Sequence, residues 1–105
     1  MIVIPEFTNP FAGMNAPRKL TKDELIRAIR FNVAAEYEAI QVYRQLADST
    51  DDKVAQAILR DIAEEEAVHA GEFLRLLKYL EPDEEKSYQK GYKEVEDMIK
   101  KLKKK

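Results

Sequence analysis

The chain has 105 residues, of which 45% are hydrophobic and 36% charged, and its formal net charge is −2; these values suit one small helix-rich domain and argue against general nucleic-acid binding. The absence of cysteine excludes disulfides, thiolate zinc sites and iron–sulfur clusters, so a metal site would have to use carboxylate and imidazole ligands. No apolar run approaches the ~20 residues that cross a bilayer, and the first residues lack the features of a signal peptide. We therefore expect a cytoplasmic protein without a membrane partner.

Residues 1–20 are predicted to form an extended leader ahead of a helical domain at 21–105. Three of the four prolines and Gly13 fall in this leader, so no helix can run through it. An extended or partly ordered tail is the simpler interpretation. A strap that packs on a neighbouring surface is the alternative, and it would use three large apolar residues: Phe7, Phe11 and Met14.

A capping box predicts where the first helix begins. The Thr21 hydroxyl can accept a hydrogen bond from the backbone N–H of Glu24, whose carboxylate can accept one from the Thr21 N–H. The first helix should then start at Lys22 and continue to about Asp48. Its apolar positions recur every three or four residues and include one carboxylate and one tyrosine: Ile26, Ile29, Val33, Glu36, Ile40, Tyr43 and Ala47.

The second helix is predicted to run from about Asp52 to Leu80. The polar segment 49–52 supplies a turn and an N-cap, and Pro82 ends the helix because it pushes the preceding residue out of the α region. The predicted buried stripe of this helix contains an E-x-x-H motif with the only histidine of the chain: Ala55, Ile58, Ile62, Glu66, His69, Phe73, Leu76 and Leu80.

A third helix should open at the acidic segment 83–85, which favours the positive end of the helix dipole. The lysine-rich segment 100–105 would complement its negative end as solvated side chains. One narrow apolar stripe predicts an outer helix that packs against a partner: Tyr88, Tyr92, Val95, Ile99 and Leu102.

Glu36, Glu66 and His69 are the predicted metal ligands. Each falls on an apolar stripe, where an unpaired charge would cost several kcal/mol. In an antiparallel hairpin that turns near Thr50, Glu36 lies within about one helical turn of the E-x-x-H motif, whose carboxylate and imidazole share one helix face. The alternative interpretation is a buried His–Glu hydrogen-bonded pair that only stabilises a helical bundle.

One chain supplies two carboxylates and one imidazole, which is half the ligand set of a di-metal carboxylate site in a four-helix bundle. A two-fold axis through the site would bring two hairpins together and complete the set. The predicted fold class is therefore all-α: an antiparallel two-helix hairpin with a short C-terminal helix, which forms a four-helix bundle only on dimerisation. Oxygen-rich ligation with imidazole favours iron or manganese.

Tyr43 and Glu38 lie near the predicted ligands, and each has a functional and a purely structural interpretation. Tyr43 lies two turns from Glu36, where its phenol could bond a metal ligand or act in redox chemistry; a core tyrosine is the alternative. Glu38 and two other carboxylates lie beside the stripe and could guide cations inward, although solvated glutamates are the simpler interpretation.

The segments 36–43 (EYEAIQVY) and 65–70 (EEAVHA) resemble the encapsulated ferritin family, a half-size branch of the ferritin superfamily that works inside encapsulin nanocompartments. The resemblance implies that Glu36, Glu66 and His69 are ferroxidase ligands contributed by both subunits to a di-iron centre. It also implies an annular decamer, a pentamer of dimers, enclosed by an encapsulin shell protein. Tyr43 matches a tyrosine beside the family's metal ligands, and Glu38 matches one carboxylate of its metal-entry site.

Some members of that family are N-terminal domains of a shell-protein fusion, so the chain could be an excised domain. The leading hypothesis is a ferroxidase that oxidises Fe(II) for iron mineralisation and storage inside the compartment. One alternative is a peroxide-consuming di-metal protein similar to rubrerythrin or manganese catalase. The other is a non-catalytic helical adaptor whose leader or lysine-rich end binds a partner.

Overall fold

The structure is a computed structural model that describes residues 15–104, and over this range it is built from helices without strands. The predicted all-α class is confirmed. The strap predicted around Phe7 lies outside the described residues, whereas residues 15–20 carry no helix. Within the described range, none of the helices combines the length and apolarity that crossing a bilayer requires. The three helices are α1 (Lys22–Asp48), α2 (Lys53–Leu80) and α3 (Glu84–Lys103).

The N-terminus of α1 has the predicted capping box. The backbone N–H of Glu24 donates to the Thr21 hydroxyl at 3.1 Å, and the Thr21 N–H donates to the Glu24 carboxylate at 2.8 Å. Arg18 adds a two-pronged contact, with its guanidinium nitrogens 2.7 and 2.8 Å from the two carboxylate oxygens of Glu24. The hydrogen bond from Arg18, followed by that from the Thr21 backbone, lowers the pKa of Glu24 to about 2.

The turn between α1 and α2 also forms as predicted. Asp52 is the N-cap of α2, and its carboxylate accepts the backbone N–H of Ala55 at 3.0 Å. Within the turn, the Ser49 hydroxyl donates to the carbonyl of Gln45 at 2.6 Å. These bonds satisfy helix-end groups that would otherwise lack partners. The connection is short, so α1 and α2 pack as an antiparallel hairpin.

The predicted stripe of α1 packs against α2. Ile26, Ile29, Val33 and Ala47 are buried, and the three stripe residues between Val33 and Ala47 are half-buried. Leu77 of α2 joins Ile26 and Ile29 in a core cluster that Phe73 and Leu80 flank. The prediction for α1 is therefore confirmed along its whole length, and Glu36 lies in the middle of this contact face.

The predicted buried stripe of α2 is partly wrong. Ile58 is 53% exposed and Leu76 38% exposed, whereas the buried residues of α2 are Ala63, Ala70 and Leu77. The reason is that α2 carries two adjacent apolar stripes, and small alanines let the helix backbones approach closely. In the stripe with the larger side chains, Ile58 and Leu76 lie at the outer edge of the hairpin, whereas Phe73 and Leu80 are half-buried beside the core cluster.

α3 contacts the hairpin at its first turns. The Arg30 guanidinium lies 2.6 Å from the Glu84 carboxylate, and the Tyr88 hydroxyl donates to the other oxygen of Glu84 at 2.5 Å. We call Arg30, Glu84 and Tyr88 the α3 latch. No residue of α3 is buried within the described chain, so the partner predicted for its apolar stripe is not supplied by the hairpin.

Candidate metal centre

The hairpin brings Glu36, Glu66 and His69 together. Glu36 comes from the middle of α1, and Glu66 and His69 lie one turn apart on α2. Each residue offers one ligand atom, and these three atoms all lie within 4.8 Å of one another. Residues three apart share a helix face, and the antiparallel pairing puts Glu36 at the same depth. The juxtaposition predicted from the spacing is therefore present in the fold.

The distances within this cluster are too long for hydrogen bonds. His69 Nδ1 lies 3.6 Å from Glu66 Oε2 and 3.9 Å from Glu36 Oε2. Two ligands of one ion, each ~2.1 Å from it, are separated by about 3 to 4 Å, so the spacing resembles a ligand set more than a bonded pair. The geometry gives no support to a His–Glu hydrogen bond as the reason for the cluster.

Glu36 Oε2 supplies a separate observation. This atom is buried and has no hydrogen-bond partner, although a buried carboxylate oxygen without a partner is costly. It points toward the imidazole of His69, at the distance given above. A divalent cation held between the three groups would satisfy this oxygen, so the residues present fit a metal ion with a preference for oxygen and imidazole ligands.

The cluster opens to the outside of the hairpin rather than being enclosed. The side chains of Glu36 and Glu66 are 17% and 20% exposed, but that of His69 is 49% exposed. The expectation that the whole motif faces inward is therefore wrong for His69 in a single chain. Its position at the edge of the α1–α2 contact explains the exposure, and a shallow groove of about 330 Å³ opens there, lined in part by Glu72 and Phe73.

This outer face of the hairpin, which we call the site face, is apolar around the cluster. By helical periodicity, α1 and α2 each present an incompletely covered apolar stripe on the same side as His69. Large apolar side chains at these positions are between 37% and 53% exposed: Leu25, Val42, Leu46, Ile58 and Leu76. Exposed apolar surface around a polar cluster commonly marks a contact with another molecule or a ligand.

The other predicted residues lie away from the three ligand atoms. Tyr43 is half-buried, seven residues and so about 10 Å along α1 from Glu36. Glu38 is exposed and is not part of the cluster. Sequence reasoning missed Glu72, which lines the groove with His69. The signal was present as a carboxylate three residues after the histidine, on the same helix face.

Comparison with known proteins finds a matching family model and two relatives whose descriptions agree with one another. A family model described as Rubrerythrin matches residues 28–105. An encapsulin nanocompartment cargo protein, EncC of Myxococcus xanthus, is 44% identical over 77 residues, which cover 73% of this chain and 58% of that protein. A ferritin-like-encapsulin shell fusion protein of Pyrococcus furiosus is 36% identical over 85 residues, which cover 81% of this chain and 25% of that protein.

The fold has a solved counterpart. The crystal structure of the encapsulated ferritin domain from Pyrococcus furiosus matches with a TM-score of 0.75 and 37% identity, and the match covers 80% of this chain and 86% of that one. The chain thus spans only 58% and 25% of the two longer relatives, but nearly all of the solved domain. The family model, the relatives and the solved fold agree. The chain belongs to the encapsulated ferritin family, within the rubrerythrin-type proteins.

Proposed function

We propose that the chain is a ferroxidase that oxidises Fe(II) to Fe(III) at a di-iron centre shared between two subunits. The observation that carries the proposal is the buried Glu36 Oε2, which has no hydrogen-bond partner and lies 3.9 Å from His69 Nδ1, in a group with Glu66 whose ligand atoms lie within 4.8 Å of one another. Iron is here the substrate, and oxidation of each Fe(II) releases one electron to an external acceptor, which is dioxygen in an aerated assay.

The three residues have distinct tasks in this proposal. Glu36 and Glu66 supply negative charge, so two subunits together offer four carboxylates, which balance two divalent cations. Nδ1 of His69 is the ring nitrogen that faces both carboxylates. It can bind a cation only as a neutral imidazole with the proton on Nε2, and the half-exposed ring leaves that nitrogen accessible to water.

The second subunit would dock on the site face. Docking would bury exposed apolar side chains such as Val42 and Ile58 and would pair two half-sites across a two-fold axis. In this arrangement Tyr43 would lie near the ligands as a hydrogen-bonding or redox-active phenol, and the exposed Glu38 would attract incoming cations. The names of the two longer relatives support an encapsulin shell protein as the partner and the shell interior as the location. We extend this to a ring of dimers, with an annular decamer as the expected size.

An anaerobic Fe(II) titration followed by admission of air tests the proposal. The wild-type protein should bind one iron per chain in an even-numbered assembly and oxidise it rapidly on air. Glu36→Gln keeps the side-chain shape but removes the charge, and it should weaken Fe(II) binding roughly 100-fold or more. Glu94→Gln is the matched control, because Glu94 is exposed on α3 and lies outside the cluster, and it should leave binding and rate unchanged. Wild-type oxidation rates in both Glu36→Gln and His69→Ala would contradict the assignment.

A peroxide-consuming di-metal protein is the second candidate, and the match to the model described as Rubrerythrin favours it. The same ligands would serve, so the acceptor distinguishes the two. Rapid consumption of hydrogen peroxide by the Fe(II)-loaded protein, with slow oxidation on air, would select this candidate. The absence of stoichiometric metal binding would instead leave the non-catalytic adaptor.

A further inference from the structure

Glu72 lies at the open end of the groove beside the candidate metal centre. The groove has a volume of about 330 Å³ and is lined by Glu36, His69, Glu72 and Phe73. Glu36 is half-buried, whereas Glu72 is exposed, so the lining runs from a buried ligand to a carboxylate in contact with solvent. Among the described residues, the three-ligand cluster consists of Glu36, Glu66 and His69. Glu72 therefore lies beside the ligands without being one of them.

The imidazole of His69 lies between two carboxylates of its own helix. Glu66 precedes His69 by three residues and Glu72 follows it by three, so each is its neighbour on the helix surface. Because helical side chains lean toward the N-terminus, the ring leans over Glu66, and Glu72 in turn leans over the ring. Nδ1 of His69 is turned toward Glu66, at 3.6 Å from its Oε2. This orientation leaves Nε2 for a partner at the open end of the groove, where Glu72 lies.

A cation bound at Nδ1 gives the second ring nitrogen a task. The ring must then be neutral with its proton on Nε2, and a metal-bound histidine usually donates that proton to a carboxylate, a backbone carbonyl or water. Glu36 and Glu66 face Nδ1, so they cannot serve as this acceptor. Within residues 15–104 the carboxylate of Glu72 takes part in no ion pair. Glu72 is therefore available as the acceptor.

We propose that Glu72 is a positioning residue, whose carboxylate accepts a hydrogen bond from Nε2–H of His69 and so holds Nδ1 toward the cation. The bond fixes the tautomer in which the Nδ1 lone pair is free, and its negative charge makes the imidazole a stronger ligand. Without it the proton can move to Nδ1, where Glu36 and Glu66 attract it and metal binding is blocked. The inference rests on the proposed function, because it concerns the same ligands, and it adds a residue that the proposed function does not use.

Zinc binding to the metal-free protein tests this role without iron oxidation, because Zn²⁺ takes carboxylate and imidazole ligands and has no redox chemistry. Glu72→Ala removes the acceptor and should weaken Zn²⁺ binding about 10- to 100-fold. Glu72→Gln keeps a side-chain oxygen that can accept the bond and should recover part of the affinity. Glu94→Ala, at an exposed glutamate of α3, should leave the affinity unchanged. Equal losses in Glu72→Ala and Glu72→Gln would mean that Glu72 acts only through its charge, and would overturn the proposal.

Nuclear magnetic resonance of the imidazole gives a second readout, because His69 is the only histidine of the chain. In untagged, Zn²⁺-loaded protein with ¹⁵N-labelled histidine, the Nε2 proton should appear as a downfield signal that exchanges slowly with water. The signal should lie less far downfield in Glu72→Gln and should be lost through rapid exchange in Glu72→Ala. A merely structural role of Glu72 would not move this proton. Equally slow exchange in Glu72→Ala and the wild type would overturn the proposal.

The positioning role and the proposed function can fail separately. If the wild type binds Zn²⁺ and shows the slowly exchanging Nε2 proton but does not oxidise Fe(II) on admission of air, the proposed function is wrong and the role of Glu72 stands. If the wild type oxidises Fe(II) rapidly, while Glu72→Ala changes neither the Zn²⁺ affinity nor the Nε2 proton, the role of Glu72 is wrong and the proposed function stands.

Discussion

The hairpin and α3 are both amphipathic, yet they satisfy their apolar faces in opposite ways. α1 and α2 bury seven apolar side chains against each other, Ile26 and Ala63 among them. α3 has a regular stripe of five apolar residues and buries none of them within the described chain. Within the described residues the buried core therefore belongs to the hairpin, and the apolar stripe of α3 remains exposed.

The site face resembles α3 in that its apolar side chains are not covered by the described chain. It lies on the hairpin, but its apolar residues are exposed in the same way as those of α3, and His69 is exposed with them. Exposed apolar surface of this kind commonly marks a contact with another molecule. The inner contact sets the positions of Glu36, Glu66 and His69, whereas the outer surfaces stay exposed in the described chain.

Removal of a buried side chain should have the largest effect, and it should fall only on the hairpin. Ile29 is 5% exposed and belongs to the core cluster, so Ile29→Ala should lower the free energy of unfolding by about 2–5 kcal/mol. Ile99→Ala removes the same atoms from α3 and should change it by less than ~0.5 kcal/mol. Urea unfolding of dilute, metal-free protein, followed by circular dichroism, measures both. Equal losses would mean that α3 is part of the hairpin's folding unit.

The ends of the helices and the stripe of α1 were predictable from sequence because local rules govern them. Thr21 and Glu24 form the predicted capping box, and the longest regular apolar stripe of α1 is the one that packs against α2. α2 was harder because it has two adjacent apolar stripes, and periodicity cannot say which one faces α1. The choice depends on how closely two backbones approach, which is a property of the pair of helices.

The cluster of Glu36, Glu66 and His69 was also predictable from local spacing along the helices. The exposure of His69 was not predictable in this way. A three-residue spacing fixes the relation of Glu66 to His69, and the position of the turn fixes the depth of Glu36. The exposure of His69 follows from its place at the edge of the α1–α2 contact, which the spacing of residues along one helix does not fix. Glu72 was missed because the prediction followed the apolar stripe of α2, and Glu72 lies beside that stripe, three residues after His69.

Loss of a helix cap should have the next largest effect on the free energy of unfolding, and the effect should be larger in the hairpin than in α3. The Thr21 hydroxyl caps α1, whereas Asp83 at the start of α3 makes no side-chain capping bond. Thr21→Ala should therefore destabilise the hairpin by ~1 kcal/mol, and Asp83→Ala should cost less than about half of that. Thermal unfolding of the two variants beside the wild type makes the comparison. A larger loss at Asp83 would show that α3 contributes more to folding than its exposure implies.

The α3 latch connects the two regions, and high pH should weaken it. The hydrogen bond from Tyr88 to Glu84, followed by burial, raises the pKa of Tyr88 to about 12. Because this value is above the ordinary tyrosine pKa of about 10, the contribution of the bond is complete below pH ~10 and is lost as the pH rises through about 12. The effect should be the smallest of the three, since Tyr88 is 38% exposed and solvent screens its interactions.

Hydrogen exchange and a phenolate titration would show whether the latch alone responds. Subtracting the ultraviolet titration of Tyr88→Phe from that of the wild type isolates one phenol, which should ionise near pH 12. Over the same range, the protection factors, which are corrected for the base catalysis of amide exchange, should fall at the start of α3 and should stay high around Ile29, because no titrating group holds that core. A phenol that ionises near pH 10 would mean that the latch is open in solution, and α3 would then leave the hairpin without a fixed direction.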